Sequence, residues 1–490
     1  MVPKFTSAVV IGSGFGGLAL AIRLQAAGIQ TVVLEKRDAF GGRAYKWDVD
    51  GHVFDAGPTV ITDPDCLRQL WGLTGSDMAQ DVDLLPVLPF YRLMWSDGTI
   101  FDYSNDDAFL EEQIRALDPA DVEGYARFLE FSNSVYEEGY VKLGAVPFLN
   151  FPSMIKAAPA MIKSQAWRSV YSRTKNFIRN EKLRQALSFH TLLVGGNPMS
   201  TSSIYALIHK LEKDGGVWAA RGGTNALVAG MVRYFRRIGG EINSNCPVSA
   251  IEHDGDKVTG VVAGGQRYQA DLVASNADIV HSYGLVEGSS YADREVDRLK
   301  AKRYSPSLFV LHFGLEGKFP HIAHHSILFS DRYGPLLDDI YRTGIIPRDP
   351  SIYLHHPSAS DPTLAPDGCS TFYALAPVPH LGKTDVNWTE FAKEYETILL
   401  DRISAMLIPD VKDRVRTSFA YTPFDFRDDL NAHLGSAFSL EPTLTQSAYF
   451  RAHNRDKHFS NLFFVGAGTH PGAGIPGVVG SAKATASLII

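Results

Sequence analysis

Apolar positions open the chain as a run, Val9-Val10-Ile11, that breaks at once into Gly12-Ser13-Gly14-Phe15-Gly16-Gly17. Leu18-Ala19-Leu20-Ala21-Ile22-Arg23-Leu24 then reads as a helix, and Thr31-Val32-Val33-Leu34 as a second buried strand closing on an acid, Glu35. Strand, glycine turn, helix, strand and acid, in that order, predict a βαβ unit carrying the dinucleotide fingerprint Gly12-x-Gly14-x-x-Gly17. Gly12 permits the tight turn, Gly14 lets the backbone approach a pyrophosphate, and Gly17 lets helix and strand pack closely. The phosphates belong at the positive end of the helix, and Glu35 can accept hydrogen bonds from a ribose.

Beyond Glu35 come Gly41-Gly42-Arg43-Ala44 and an alternating stretch ending in Gly57-Pro58-Thr59-Val60. Short strand-like pieces fill residues 60–105, and residues 106–215 read mainly helical. Sheet-like structure returns after a helix opened by Arg221-Gly222-Gly223-Thr224, with strands over 247–251, 258–263 and 272–277. Residues 300–455 alternate strands with turns and read as a mostly antiparallel sheet walling a cavity. Near the end, a strand over 462–465 runs into a loop holding Gly466, Gly468, Gly472, Gly474, Gly477 and Gly480, and then a helix start. Glycines so dense let backbone lie flat against a ring system and a pyrophosphate.

With 490 residues, 45% of them hydrophobic and 21% charged, the chain has room for two or three domains of ordinary globular composition. A net charge of −7 argues against nucleic acid as a partner. Cys66, Cys246 and Cys369 are scattered with no CxxC, which fits a reducing compartment. The fingerprint begins too close to Met1 for a cleaved leader, and no apolar run is long enough to span a bilayer.

Charge is unevenly spread, however. From Gly139 to Asn180 there is no acid, while Lys142, Lys156, Lys163, Arg168, Arg173, Lys175 and Arg179 alternate with Val146, Phe148, Phe151, Met154, Ile155, Trp167, Val170 and Ile178. A basic, acid-free, aromatic-rich segment in an acidic chain predicts docking on an anionic membrane surface, peripherally and from the cytoplasmic side.

The Gly-Gly-Arg pair after the ribose acid resembles that of the two-domain FAD superfamily, which includes amine oxidases and carotenoid desaturases. The C-terminal loop, together with Leu193-Val194-Gly195-Gly196-Asn197-Pro198 and Thr422-Pro423-Phe424-Asp425-Phe426-Arg427-Asp428, closely resembles the bacterial-type phytoene desaturases. The resemblance covers the whole chain and implies an α/β fold in three parts: a discontinuous Rossmann-like FAD-binding domain (1–70, 220–290 and 455–490), an antiparallel-sheet substrate domain (71–105 and 291–454), and a helical membrane-associating region (106–219). FAD contacts are implied for Gly12, Gly14, Gly17, Glu35, Gly42, Arg43, Gly57, Pro58, Thr59, Val248, Gly468, Thr469, Gly474, Ile475, Pro476 and Gly477.

The implied reaction is desaturation of phytoene towards lycopene or neurosporene, with electrons passing from FAD to oxygen or a membrane quinone. No second GxGxxG is present, so a bound NAD(P) as acceptor is unsupported. Because positive charge developing on a polyene is delocalised, a strong general base is not required. Glu441, His433, Asp425 and His470 are candidate proton acceptors, each with a structural role as its alternative. His321, His324 and His325, and the pair His355-His356, are not placed beside a Cys, Asp or Glu ligand set, so no metal is expected. Three other activities stay open: conversion of another carotenoid (by desaturase, dehydrogenase or isomerase), flavin amine oxidation, and a non-catalytic prenyl-lipid carrier of the same fold.

Overall fold

The computed structural model describes residues 5–149, 158–159 and 161–490. Phe151, Met154, Ile155 and Lys156 of the basic segment lie outside the described residues.

The N-terminal run forms strand β1 (Ser7–Ile11), helix α1 (Phe15–Ala26) and strand β2 (Gln30–Leu34). They sit in a five-stranded sheet ordered Glu241–Asn243, β2, β1, Leu272–Ser275, Leu462–Phe464, and every pairing in it is parallel. Helices cover parallel strands, which is why β1 is apolar without alternation. Helix α1 is apolar all round because it is enclosed, packing against Ile475–Ala486 and Thr224–Arg237 as well as the sheet. Both ends of the chain thus meet here: Val9 lies beside Val273, which lies beside Leu462.

A second, seven-stranded sheet is ordered Val415–Tyr421, Ser307–Glu316, Cys369–Val378, Ile352–His355, His325–Leu328, Tyr91–Met94, Ile100–Tyr103. It is mixed, since His325–Leu328 runs parallel to Tyr91–Met94 while the other pairs are antiparallel. Its register sets His312 opposite Tyr373, Tyr373 opposite His355, and His355 opposite His325, a row of polar rings across a buried sheet.

Between the sheets lies a largely helical stretch containing Asp107–Leu117, Asp121–Tyr136 and Leu207–Gly215. Strand Val217–Ala220 follows, flanked by Ile61–Thr62 and Leu84–Pro86, so the last of these helices is held beside the Gly57–Val60 stretch. Among the described residues no helix is long and apolar enough to cross a membrane.

Candidate active site

One cavity of about 770 Å³ is lined by residues of both sheets and of the helical stretch. That is near the upper end of the roughly 300–1,000 Å³ typical of small-molecule sites. Gly12, Gly14, Glu35, Gly42, Arg43 and Val248 line one part of it, and Gly57, Pro58, Thr59 and the run Gly474 to Gly477 another. Phe189, Leu192, Ile204, Leu207, Leu308 and Phe438 form apolar walls.

The glycine positions are dictated by contact. A Cβ on Gly14 would lie 2.8 Å from the amide nitrogen of Asn276, and one on Gly16 or on Gly466 would lie 2.6 Å from its amide oxygen. The Asn276 side chain therefore fills the space between the N-terminal and C-terminal glycine loops, which only glycine leaves open. Gly17 does not line the cavity; it packs on the Gly12 carbonyl behind it.

Glu35 is buried at the end of β2. Its Oε2 accepts from the Ser13 backbone N–H at 2.9 Å and the Ser13 hydroxyl at 2.6 Å, and its Oε1 from the Arg37 N–H at 3.0 Å. This anchors the acid to the glycine turn. Arg43 lines the cavity with Nε unpaired, close to Asp278, whose Oδ2 is also unpaired and whose carboxyl is pushed upward by burial. Thr59 Oγ1 lies 2.8 Å from Tyr353 Oη and 2.6 Å from Tyr373 Oη, and the Tyr373 hydroxyl also lies within hydrogen-bond reach of the Gly57 carbonyl at 3.1 Å.

Gly468 and Thr469 are not among the lining residues. Thr469 is buried, with its hydroxyl 2.7 Å from that of Ser481, so it ties the glycine loop to the following helix from behind.

Of the four candidate proton acceptors, His470 alone lines the cavity. Its Nε2–H donates to the Leu143 carbonyl at 3.0 Å, its Nδ1 is unpaired, and burial pushes its pKa down to about 4. Asp425 caps the helix Pro423–Leu430 by accepting from the Thr422 N–H and hydroxyl, both at 2.6 Å. Glu441 is buried against Arg303 at 2.9 Å, and His433 packs edge-on to Tyr304. These three face other parts of the molecule, for the physical reason that each already has a structural partner.

Three acids that sequence reasoning did not single out do line the cavity: Asp278, Asp429 and Glu212. The strand-end position of Asp278, two residues beyond Asn276, was a usable signal. Glu212 gave little, because it stands in sequence among Lys210, Lys213 and Asp214, and only its i+4 spacing from Ile208 sets it apart from them.

The histidine pairs, far apart in sequence, come together through sheet register. One nitrogen from each of His324, His325 and His355 lies within 4.8 Å of the others, and all three rings are buried. His324 Nε2 is 3.1 Å from His355 Nε2, and His325 Nδ1 is 2.8 Å from Tyr353 Oη. Burial pulls all three imidazoles far below the usual histidine range, and among the described residues no carboxylate or thiol joins them as a ligand.

Residues 15–490 match the family described as flavin containing amine oxidoreductase. The chain belongs to this family. Within it, the chain is 56% identical to a phytoene desaturase (lycopene-forming) from a Paracoccus species, over 100% of this chain and 98% of that protein. It is 54% identical to the enzyme of the same name from Pantoea ananas, over 98% of each. Among solved structures, wild-type putrescine oxidase bound to putrescine aligns with a TM-score of 0.65 at 15% identity, covering 98% of both chains, a likeness of fold.

As in the rest of the flavin amine oxidoreductase family, the cofactor is FAD. The site has the features such a dinucleotide needs: glycines whose side-chain space is closed, a buried acid beside the turn, and an unpaired arginine nitrogen in the wall.

Proposed function

We propose that this chain desaturates phytoene, forming lycopene, with FAD as oxidant. The observation that carries this is the single cavity joining the glycine loops to walls of Phe189, Leu192, Ile204, Leu207, Leu308 and Phe438. Such a lining suits a hydrocarbon, which has no group to hydrogen-bond and is held by apolar burial at about 25 cal/mol per Å². The names of the 56% and 54% identical relatives support the same reaction.

FAD, when bound, supplies the two-electron acceptor for the C–H bond being broken. In this reading the parallel sheet is a Rossmann-like FAD domain drawn from 1–70, 220–290 and 455–490. Gly12 and Gly14 with the N-terminus of α1 hold the pyrophosphate, joined by Gly42 and Arg43, while Gly17 packs behind the turn. Glu35 holds a ribose, and Val248 contacts the adenine side. The stretches Gly57 to Thr59 and Gly474 to Gly477 lie against the ring, with Gly468 and Thr469 bracing the latter from behind. Residues 71–105 and 291–454 supply the substrate walls, and 106–219 docks on the membrane from which a lipid-soluble substrate enters. Oxygen or a membrane quinone takes the electrons at the end of each cycle.

The test is expression of the intact chain in a phytoene-accumulating bacterium, followed by chromatography of the pigments. Lycopene at the expense of phytoene is expected. An unchanged phytoene pool in cells holding the flavin-loaded protein would overturn the reading.

A further inference from the structure

Four carboxylates line the cavity: Glu35, Asp278, Asp429 and Glu212. Three belong to the dinucleotide part. Glu35 is bonded to Ser13, Asp278 lies close to Arg43, and Asp429 pairs with Arg37 at 3.6 Å. Glu212 stands apart, beside Tyr91 and His190. Helical spacing sets it four residues after Ile208, on the side of Leu207–Gly215 whose Leu207, Ile208 and Leu211 line the cavity, while Lys210 and Lys213 pair with Asp214 and Asp107 elsewhere.

Glu212 is 1% exposed. Its Oε1 accepts from the Tyr91 hydroxyl at 2.7 Å. Its Oε2 has no hydrogen bond; His190 Nε2 lies 3.1 Å away, without hydrogen-bond alignment. A buried carboxylate oxygen without a donor is costly to keep and needs a reason. The surroundings also lead back to the flavin stretch: the Tyr91 ring centroid is 5.8 Å from that of His325, and His325 is linked through Tyr353 to Thr59.

We propose that Glu212 is the catalytic proton acceptor of the desaturation, taking the proton on Oε2; this rests on the phytoene desaturase reading above. An allylic C–H of the substrate breaks and its hydrogen leaves as hydride, with both electrons, to FAD. The adjacent C–H then breaks, its electron pair becomes the new C=C bond, and its proton goes to Glu212 Oε2, leaving a neutral carboxyl. Before that transfer, the Glu212 charge stabilises the electron-poor carbon. Tyr91 is a positioning residue, fixing Oε1 and leaving Oε2 without a hydrogen bond. His190 is the nearest base to relieve Glu212 of the proton before the next cycle.

The test compares the wild-type holoenzyme with Glu212→Gln and Glu212→Asp, using phytoene and an aza-analogue of phytoene whose ammonium stands where positive charge develops. Binding is read by titration, independently of turnover. Wild type and Glu212→Asp should bind the aza-analogue at least tenfold more tightly than phytoene. Glu212→Gln should lose that preference, keep its affinity for phytoene and its FAD, and desaturate at least a hundredfold more slowly. A Glu212→Gln enzyme that retains the preference, or that matches the wild-type rate, overturns the proposal while leaving the desaturase reading standing. A wild type that binds FAD but makes no pigment fails that reading, and the proposal with it. Should Glu212→Gln not fold, Glu212→Asp decides: slowing by tenfold or more at unchanged phytoene affinity supports the role, and an unchanged rate overturns it.

Discussion

Gly17 packs directly on the carbonyl oxygen of Gly12: a Cβ at position 17 would lie 2.1 Å from that atom. The obstacle is backbone, so no side-chain rotation relieves it, and the turn that receives the dinucleotide would have to open. Overpacking of this kind costs typically about 1–3 kcal/mol. Gly17→Ala is therefore expected to lower the melting temperature and to be purified with less than a tenth of the wild-type flavin absorbance per protein. Gly72→Ala is the control, since nothing lies within 4 Å of a Cβ there. Equal flavin content in both variants would remove the steric argument for this turn.

Glu35 holds the glycine turn through Ser13 as well as facing the cavity. In Glu35→Gln, one oxygen becomes an NH2, so either Ser13 or the Arg37 N–H loses its acceptor, and the charge that strengthens these bonds is gone. Hydrogen bonds to a charged group contribute roughly 1.5–3 kcal/mol. FAD dissociation should be weakened in affinity by about 10–100-fold, read by titrating apoprotein with FAD and following flavin fluorescence. An unaltered affinity would mean that Glu35 is only a strut for the turn.

The parts of this molecule that could be read from sequence are those whose chemistry is local. The fold of β1, the glycine turn, α1, β2 and Glu35 needs only neighbours within about thirty residues, and strand-to-helix periodicity exposes it. The C-terminal glycine loop is equally plain. What could not be read depends on register and on which face of a helix turns inward. His325 and His355 meet because two strands pair in one register, and a slip of one residue would separate them. Asn276 matters because two loops distant in sequence close around its amide. Glu212 sits in a helix whose charged residues give no hint that one of them faces an apolar cavity. Asp425 shows the opposite failure, an acid within a family-like motif that is used up in capping its own helix.

Several histidines are buried as neutral rings, and this sets the response to acid. Burial pushes His312 and His324 down to about 3 and His470 down to about 4, against about 6.5 when unfolded. Between those values the unfolded chain binds protons that the folded chain refuses. Their contribution is thus fully present above about pH 6.5 and is lost as pH falls towards 3. Asp55, raised by burial to about 6, acts in the opposite direction, binding its proton earlier in the folded state and offsetting part of the loss. The histidines outnumber it, so the denaturant midpoint should stay level from pH 8 to 7 and fall below pH 6.5. Each charging ring steepens the slope by about 1.4 kcal/mol per pH unit. A midpoint level down to pH 5 would show that these rings accept protons in place.

The helical stretch carries a surface that the interior does not use. Val141, Val146, Ile162 and Trp167 are 57%, 37%, 64% and 64% exposed, with Lys163, Lys175 and Arg179 exposed nearby. Other members of the segment are committed elsewhere: Phe148, Val170 and Ile178 are buried, and Arg173 lies over the rings of Phe131 and Phe177. A docking face on this segment, as proposed above, would therefore be smaller than the composition of the segment suggests. Tyr140, Leu143, Phe148 and Met161 of the same segment line the cavity, which would set its entrance at the lipid surface. Replacing Ile162 and Trp167 together by Glu removes apolar area and adds two charges that an anionic bilayer repels, while touching nothing in the cavity. Binding to vesicles containing phosphatidylglycerol should fall at least tenfold by co-sedimentation, and high salt should weaken wild-type binding because each basic residue near the surface contributes about 1 kcal/mol electrostatically. Desaturation of phytoene presented in detergent micelles should be unchanged. A double variant that still sediments with the vesicles would place the membrane contact elsewhere on the molecule.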